Sequence, residues 1–147
     1  MSDAPHVTFY DTPPDRRWPL VARLAEAALR KRRRMLILCA DPGRAAALDR
    51  FLWTFREDSF LAHEIATPGR PLRDEDAALV IATTAFAPGP REVLLQDTPA
   101  DLAFAATFPY VIDVVDHTSP EALAASRARF RAWRDRAVEP RVVKTNG

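Results

Sequence analysis

Glycine is scarce in this chain: four in 147 residues, one of them the last. A dinucleotide site needs glycines where the first strand turns into its helix, because the backbone must approach the pyrophosphate closely. Here that turn reads DTPPDRRWP, with no glycine at all. No Gly-rich loop ending in Lys-Ser or Lys-Thr is present either, which excludes a P-loop. Cysteine is scarcer still. Cys39 stands alone, so no intramolecular disulfide can form, which fits a reducing compartment. The three histidines, His6, His63 and His117, lack metal-ligand spacing and read as surface or hydrogen-bonded side chains. No apolar run reaches the ~18–20 residues of a membrane-spanning helix. The opening MSDAPHVTFYDTPP lacks the basic and then apolar regions of a signal peptide. The expected location is therefore cytoplasmic, away from the membrane. Net charge is only +1, so the whole molecule exerts no strong pull on nucleic acid.

What is present is apolar enough for a core, at 48% hydrophobic with 28% charged. The length predicts a single domain over residues 1–138, with 139–147 as a mobile tail lacking any period. Five strands are expected: Val7–Asp11, Met35–Ala40, Ala77–Thr83, Arg91–Asp97 and Tyr110–Asp116. MLILCA is a continuous apolar run, the mark of a strand buried on both faces. Between the strands lie helical periods. The first begins at Trp18 and ends in the cationic run Arg30–Arg34, which suits the negative end of its dipole. The second follows DPGR, with Asp41 as N-cap and Pro42 in the first turn. PADLAFAATF makes a short third helix, and the last opens with Ser119 as N-cap before Pro120 and Glu121. FLAHEI is expected to be irregular and ATPGRPLRDED a loop. Alternating strands and helices predict an α/β fold, a mostly parallel central sheet with helices on both faces.

Catalytic chemistry is thin. Cys39 lies near a strand's carboxyl end, where α/β sheets bind ligands, but no base is recognisable beside it, and it reads as a small buried apolar residue. Asp41, Asp97, Asp113 and Asp116 sit at or near strand ends, as acid–base or Mg²⁺ carboxylates would. Capping and strand-ending are the simpler roles for them.

Two stretches read instead as binding surfaces. In FLWTFREDSFLAHEI, Leu48, Leu52 and Phe55 share the core face of a helix, with Trp53 at its edge and Phe60 and Leu61 beyond its end. Exposed Trp and Phe are the anchors expected at protein interfaces. In the last helix, Leu123, Ser126, Phe130, Trp133 and Ala137 share one face, flanked by Arg127, Arg131 and Arg134. Guanidiniums beside aromatic edges suit an acidic peptide with an apolar end.

VTFYD, MLILCAD and then LDRFLWTFREDSFLAHE resemble the chi subunit of bacterial DNA polymerase III. Leu48, Asp49, Leu52, Trp53, Ser59, Phe60, Leu61 and His63 match its most specific block, and VVD at Val114–Asp116 and the Arg-rich last helix also fit. The resemblance implies a Rossmann-like three-layer sandwich without cofactor or metal. It implies a non-catalytic clamp-loader accessory that links the replicase to single-stranded DNA-binding protein (SSB), whose acidic C-terminal tail ends in Pro-Phe. The tail site would comprise Arg127, Phe130, Arg131 and Arg134. Trp53, Phe60 and Leu61 would receive the psi subunit or another clamp-loader or helicase partner. Direct DNA binding is expected to be weak. Two positions depart from the family pattern: Ala62 replaces a proline, and Phe130 replaces a common tyrosine. Two rival readings remain at this level. One is a small phosphate- or nucleotide-binding enzyme using the Asp41–Arg44 loop. The other is a direct nucleic-acid binder using Arg30–Arg34 and the last helix.

Overall fold

A computed structural model describes residues 4–55, 63–68, 72, 77–86, 89 and 91–145. The run MLIL forms β2, Met35–Leu38, with all four residues buried. Around it stand β1 (His6–Asp11), β3 (His63–Ile65), β4 (Leu79–Ala82), β5 (Val93–Gln96), β6 (Tyr110–Val114) and β7 (Arg141–Lys144). They form one sheet in the order β3-β4-β2-β5-β6-β1-β7, and every pairing is parallel. Among the described residues, four α-helices connect them: α1 (Arg17–Arg30), α2 (Pro42–Thr54), the short α3 (Leu102–Ala105) and α4 (Pro120–Asp135).

The two-residue period of each strand divides the core into two layers. Met35, Ile37, Leu79, Ile81 and Leu95 pack with Val21 and Ala25 of α1 and Leu48 and Leu52 of α2. Leu36, Leu38, Val80, Leu94 and Phe9 pack on the other side with Ala105 of α3 and Trp133 of α4. This is a Rossmann-like α/β sandwich. Trp133, 1% exposed, is among the largest fully buried side chains.

The predicted caps form. The Asp41 carboxylate accepts from the Arg44 N–H at 2.8 Å, and the Ser119 hydroxyl accepts from the Ala122 N–H at 3.0 Å. Each such cap contributes about 1 kcal/mol. At their other ends, α1 and α4 both close through a left-handed residue that is not glycine, Arg32 (φ 56°) and Ala137 (φ 61°). The Arg33 N–H then donates to the Ala28 carbonyl and the Val138 N–H to the Trp133 carbonyl, the Schellman pattern. The left-handed conformation costs a Cβ-bearing residue roughly 1–2 kcal/mol.

Two segments differ from the sequence-based expectation. FLAHEI was expected to be irregular, yet His63–Ile65 pairs with Leu79–Ile81 as β3. A three-residue edge strand is too short to show a period. Residues 139–147 were expected to be a mobile tail, yet Arg141–Lys144 pairs with Thr8–Asp11 as β7. Three of its four residues are exposed, so it carries no apolar face for a sequence pattern to reveal. Arg141 and Lys144 place charge on this sheet edge, which discourages indiscriminate strand pairing.

Candidate functional site

The geometry of α4 separates its arginines into two kinds. Arg129 faces inward, and its guanidinium donates to both carboxylate oxygens of Asp113 on β6, at 2.7 and 3.0 Å. It also donates to the hydroxyl of Ser126, which accepts from the Asp116 N–H. These bonds lock α4 to the end of β6. Arg127 and Arg131 are one turn apart and exposed. Neither makes an ion pair among the described residues.

Phe130 lies beside them, half-buried, with its ring edge-on to Phe9 at 5.3 Å. The Arg134 guanidinium covers it, 4.7 Å from the ring centroid. Arg134 is itself engaged, 2.8 Å from Glu139. The hydrogen bond to Glu139 holds the Arg134 guanidinium above its ordinary pKa. Both side chains are well exposed, at 54% and 69%, so this pair is weak and easily opened. The surface therefore offers two free cations, an aromatic ring and a movable cationic cover.

A second constellation sits at the far edge of the sheet. Asp49 and Trp53 are four residues apart on α2 and so share one side of the helix. His63 at the start of β3 reaches between them. Its Nε2–H donates toward Asp49, with Oδ1 at 3.0 Å and the backbone carbonyl at 3.2 Å. Its ring lies 4.3 Å from the Trp53 ring, inclined by 33°. Trp53 remains 51% exposed, one of three large apolar side chains that are exposed among the described residues. Phe60 and Leu61, the other residues expected on this surface, lie outside the described residues.

The crevice at the carboxyl ends of the strands, about 380 Å³, is where α/β folds commonly hold ligands. Asp97 fills its polar centre. Its carboxylate accepts from Arg44 at 2.7 Å, Arg17 at 3.2 Å and the Trp18 indole at 3.3 Å. Burial raises the Asp97 pKa, but the Arg44 hydrogen bond and the charges of Arg17 and Arg44 outweigh it, leaving the carboxyl below its ordinary range. Both arginines are thus committed to an internal anion. Cys39 lies beneath, its thiol pushed up to about 12 by burial and then by the Asp97 charge. Such a thiol supplies almost no thiolate at neutral pH. Asp41 is the α2 cap, and Asp116 accepts from Thr118. Among the described residues, no group of three His, Cys, Asp or Glu side chains could hold a metal ion. No helix among them is long and apolar enough to cross a membrane.

The structure brings Arg127, Phe130, Arg131 and Arg134 to one face and places Trp53 on another. Sequence reasoning missed three partners: Glu139 on Arg134, Asp113 on Arg129, and Asp97 between Arg17 and Arg44. Only Asp49 and Trp53 carried a local signal, their four-residue spacing.

The family model for the DNA polymerase III chi subunit, HolC, matches residues 4–141. The DNA polymerase III subunit chi of Pseudomonas aeruginosa is 31% identical over 134 residues, 88% of this chain and 89% of that one. A crystal structure of T4 UvsW aligns with TM-score 0.66 at 10% identity, over 96% of this chain and 41% of that one, a likeness of fold alone.

Proposed function

This chain belongs to the DNA polymerase III chi subunit family, and we propose that it is a non-catalytic accessory subunit joining the clamp-loader complex of the polymerase III holoenzyme to the acidic C-terminal tail of SSB. The observation that carries this reading is the sorting of the α4 arginines. Arg129 is consumed by a buried aspartate, while Arg127 and Arg131 stand exposed beside Phe130 with no ion pair among the described residues. Two free guanidiniums one turn apart can grip tail aspartates and the terminal carboxylate. The tail phenylalanine packs near Phe130 once Arg134 moves aside. Exposed charge pairs contribute only about 0.2–1 kcal/mol each, so the buried phenyl supplies much of the affinity. Salt weakens the complex without abolishing it.

Trp53, 51% exposed near the β3 edge of the sheet, anchors a second partner, psi or another clamp-loader or helicase component, and the resemblance assigns Phe60 and Leu61 to the same partner. Docking partners on separate surfaces lets one small chain bridge two assemblies. The phosphate- or nucleotide-binding alternative gains no support, because Arg44 is held by Asp97 and Asp41 caps its helix. Direct DNA binding is weak in this account. The test is co-sedimentation with full-length SSB. Arg127→Ala and Arg131→Ala should each reduce capture while the thermal melt stays unchanged. Undiminished capture by both variants overturns the α4 site.

A further inference from the structure

Parallel sheets are ordinarily covered on both faces. Among the described residues, one face of the β6-β1-β7 part of this sheet is only partly covered. On β1, Val7 and Phe9 face α4 and are buried, while Thr8 and Tyr10 face the α1 side and are only half-buried. The same alternation holds on β6, where Val111 is buried and Tyr110 and Ile112 are half-buried. Val21, Ala25 and Ala28 of α1 pack with Met35 and Ile37 of β2 and Val93 and Leu95 of β5. The result is a groove of about 590 Å³ between α1 and the face of β6, β1 and β7. Leu24, Tyr10 and Ile112 give it an apolar floor.

Its rim is cationic. Lys31, Arg33 and Arg141 line it, and none makes an ion pair among the described residues. Glu139 also lines the groove, so the lining carries three cations against one carboxylate, and that carboxylate also faces Arg134. The two left-handed turns bear on the same place. Arg32 at φ 56° directs Arg33 over the Tyr110 ring, 4.0 Å from its centroid, and Ala137 at φ 61° forms part of the wall. Backbone strain of this kind tends to persist where the surrounding structure uses the geometry it sets.

We propose that this groove docks an acidic, apolar segment of a partner protein, at a site separate from both α4 and Trp53. Charge complementarity selects the occupant: rim cations without ion pairs among the described residues favour carboxylates, and the apolar floor favours leucine- or phenylalanine-like side chains. Single-stranded nucleic acid fits less well. It needs open aromatic faces for base stacking. The Tyr110 ring is already engaged, by His6 stacked at 5.4 Å and by the Arg33 guanidinium 4.0 Å from its centroid.

The test uses the full chain and a fluorescent, C-terminally amidated peptide alternating glutamate with leucine. The amide removes the terminal carboxylate on which the α4 site relies. Saturable binding is expected, weakened at least about tenfold by Lys31→Glu with Arg141→Glu. Tyr10→Ser should weaken it as well, and Arg127→Ala with Arg131→Ala should leave it unchanged, with thermal melts confirming that each variant is folded. No binding by the unaltered chain overturns the proposal. So does binding that survives the Lys31/Arg141 reversal, or that is lost with the α4 pair. Oligothymidine binding through Lys31 and Arg141, with the peptide inert, would replace it with a nucleic-acid site.

Discussion

The imidazole of His63 lies against the indole of Trp53, with ring centroids 4.3 Å apart, while its Nε2–H is turned toward Asp49. A buried histidine thus fixes the plane of an exposed tryptophan. Removing it should cost stability and release the indole. His63→Ala should lower stability by about 1–2 kcal/mol, one lost hydrogen bond plus some packing. Trp133 is buried and Trp18 is packed on Phe51, so acrylamide quenching of fluorescence reports mainly Trp53. Quenching should rise in His63→Ala; an unchanged quenching constant would mean that His63 does not hold the ring.

Glu139 competes with any incoming acid for Arg134. Glu139→Gln should therefore tighten binding of an SSB tail peptide, by a few-fold given the small worth of one exposed pair. Calorimetric titration checks this, and weaker binding in the variant would show that Glu139 helps to form the site.

The Asp97 carboxyl is held below its ordinary pKa in the folded chain. Its contribution is therefore present above the unfolded value of about 4 and is lost as pH falls through the folded value. Asp97→Asn should cost about 2–3 kcal/mol, below the 3–5 of a fully buried pair, because the Arg44 side chain is 41% exposed. The melting temperature should fall by roughly 5–10 °C at neutral pH. The gap between variant and parent should narrow in acid. Denaturation curves from neutral pH down to about pH 3 test both the size and the sign.

Cys39 should resist thiol reagents in the native state, since its sulfur is buried and its pKa lies near 12. Reaction should follow global unfolding. Fast labelling by an aromatic disulfide under native conditions would show that the carboxyl-end crevice opens.

Much of the fold was legible in the sequence because apolar runs and helical periods are local. MLIL, LVIA and the two capped helices carry their own signals. The edge strands were not legible. β3 and β7 are defined by pairing with Leu79–Ile81 and Thr8–Asp11, contacts distant in sequence. The proposed docking face of α4 was readable as a spacing of Arg127, Phe130, Arg131 and Arg134. Which arginines stay free was not, because Asp113 and Glu139 select them through side-chain contacts. The groove beside α1 was also hidden, since it arises from how far a helix covers a sheet whose strands meet only in the fold.

The central claim is that an acidic peptide with a terminal phenylalanine docks beside Phe130. A calorimetric titration with the SSB tail peptide, beside the same peptide lacking its final phenylalanine, tests it most directly. The account predicts saturable binding of the full peptide, a loss of at least about tenfold on removing the phenylalanine, and loss again in Arg127→Ala with Arg131→Ala. Equal affinity for both peptides, or binding indifferent to the α4 arginines, would contradict it.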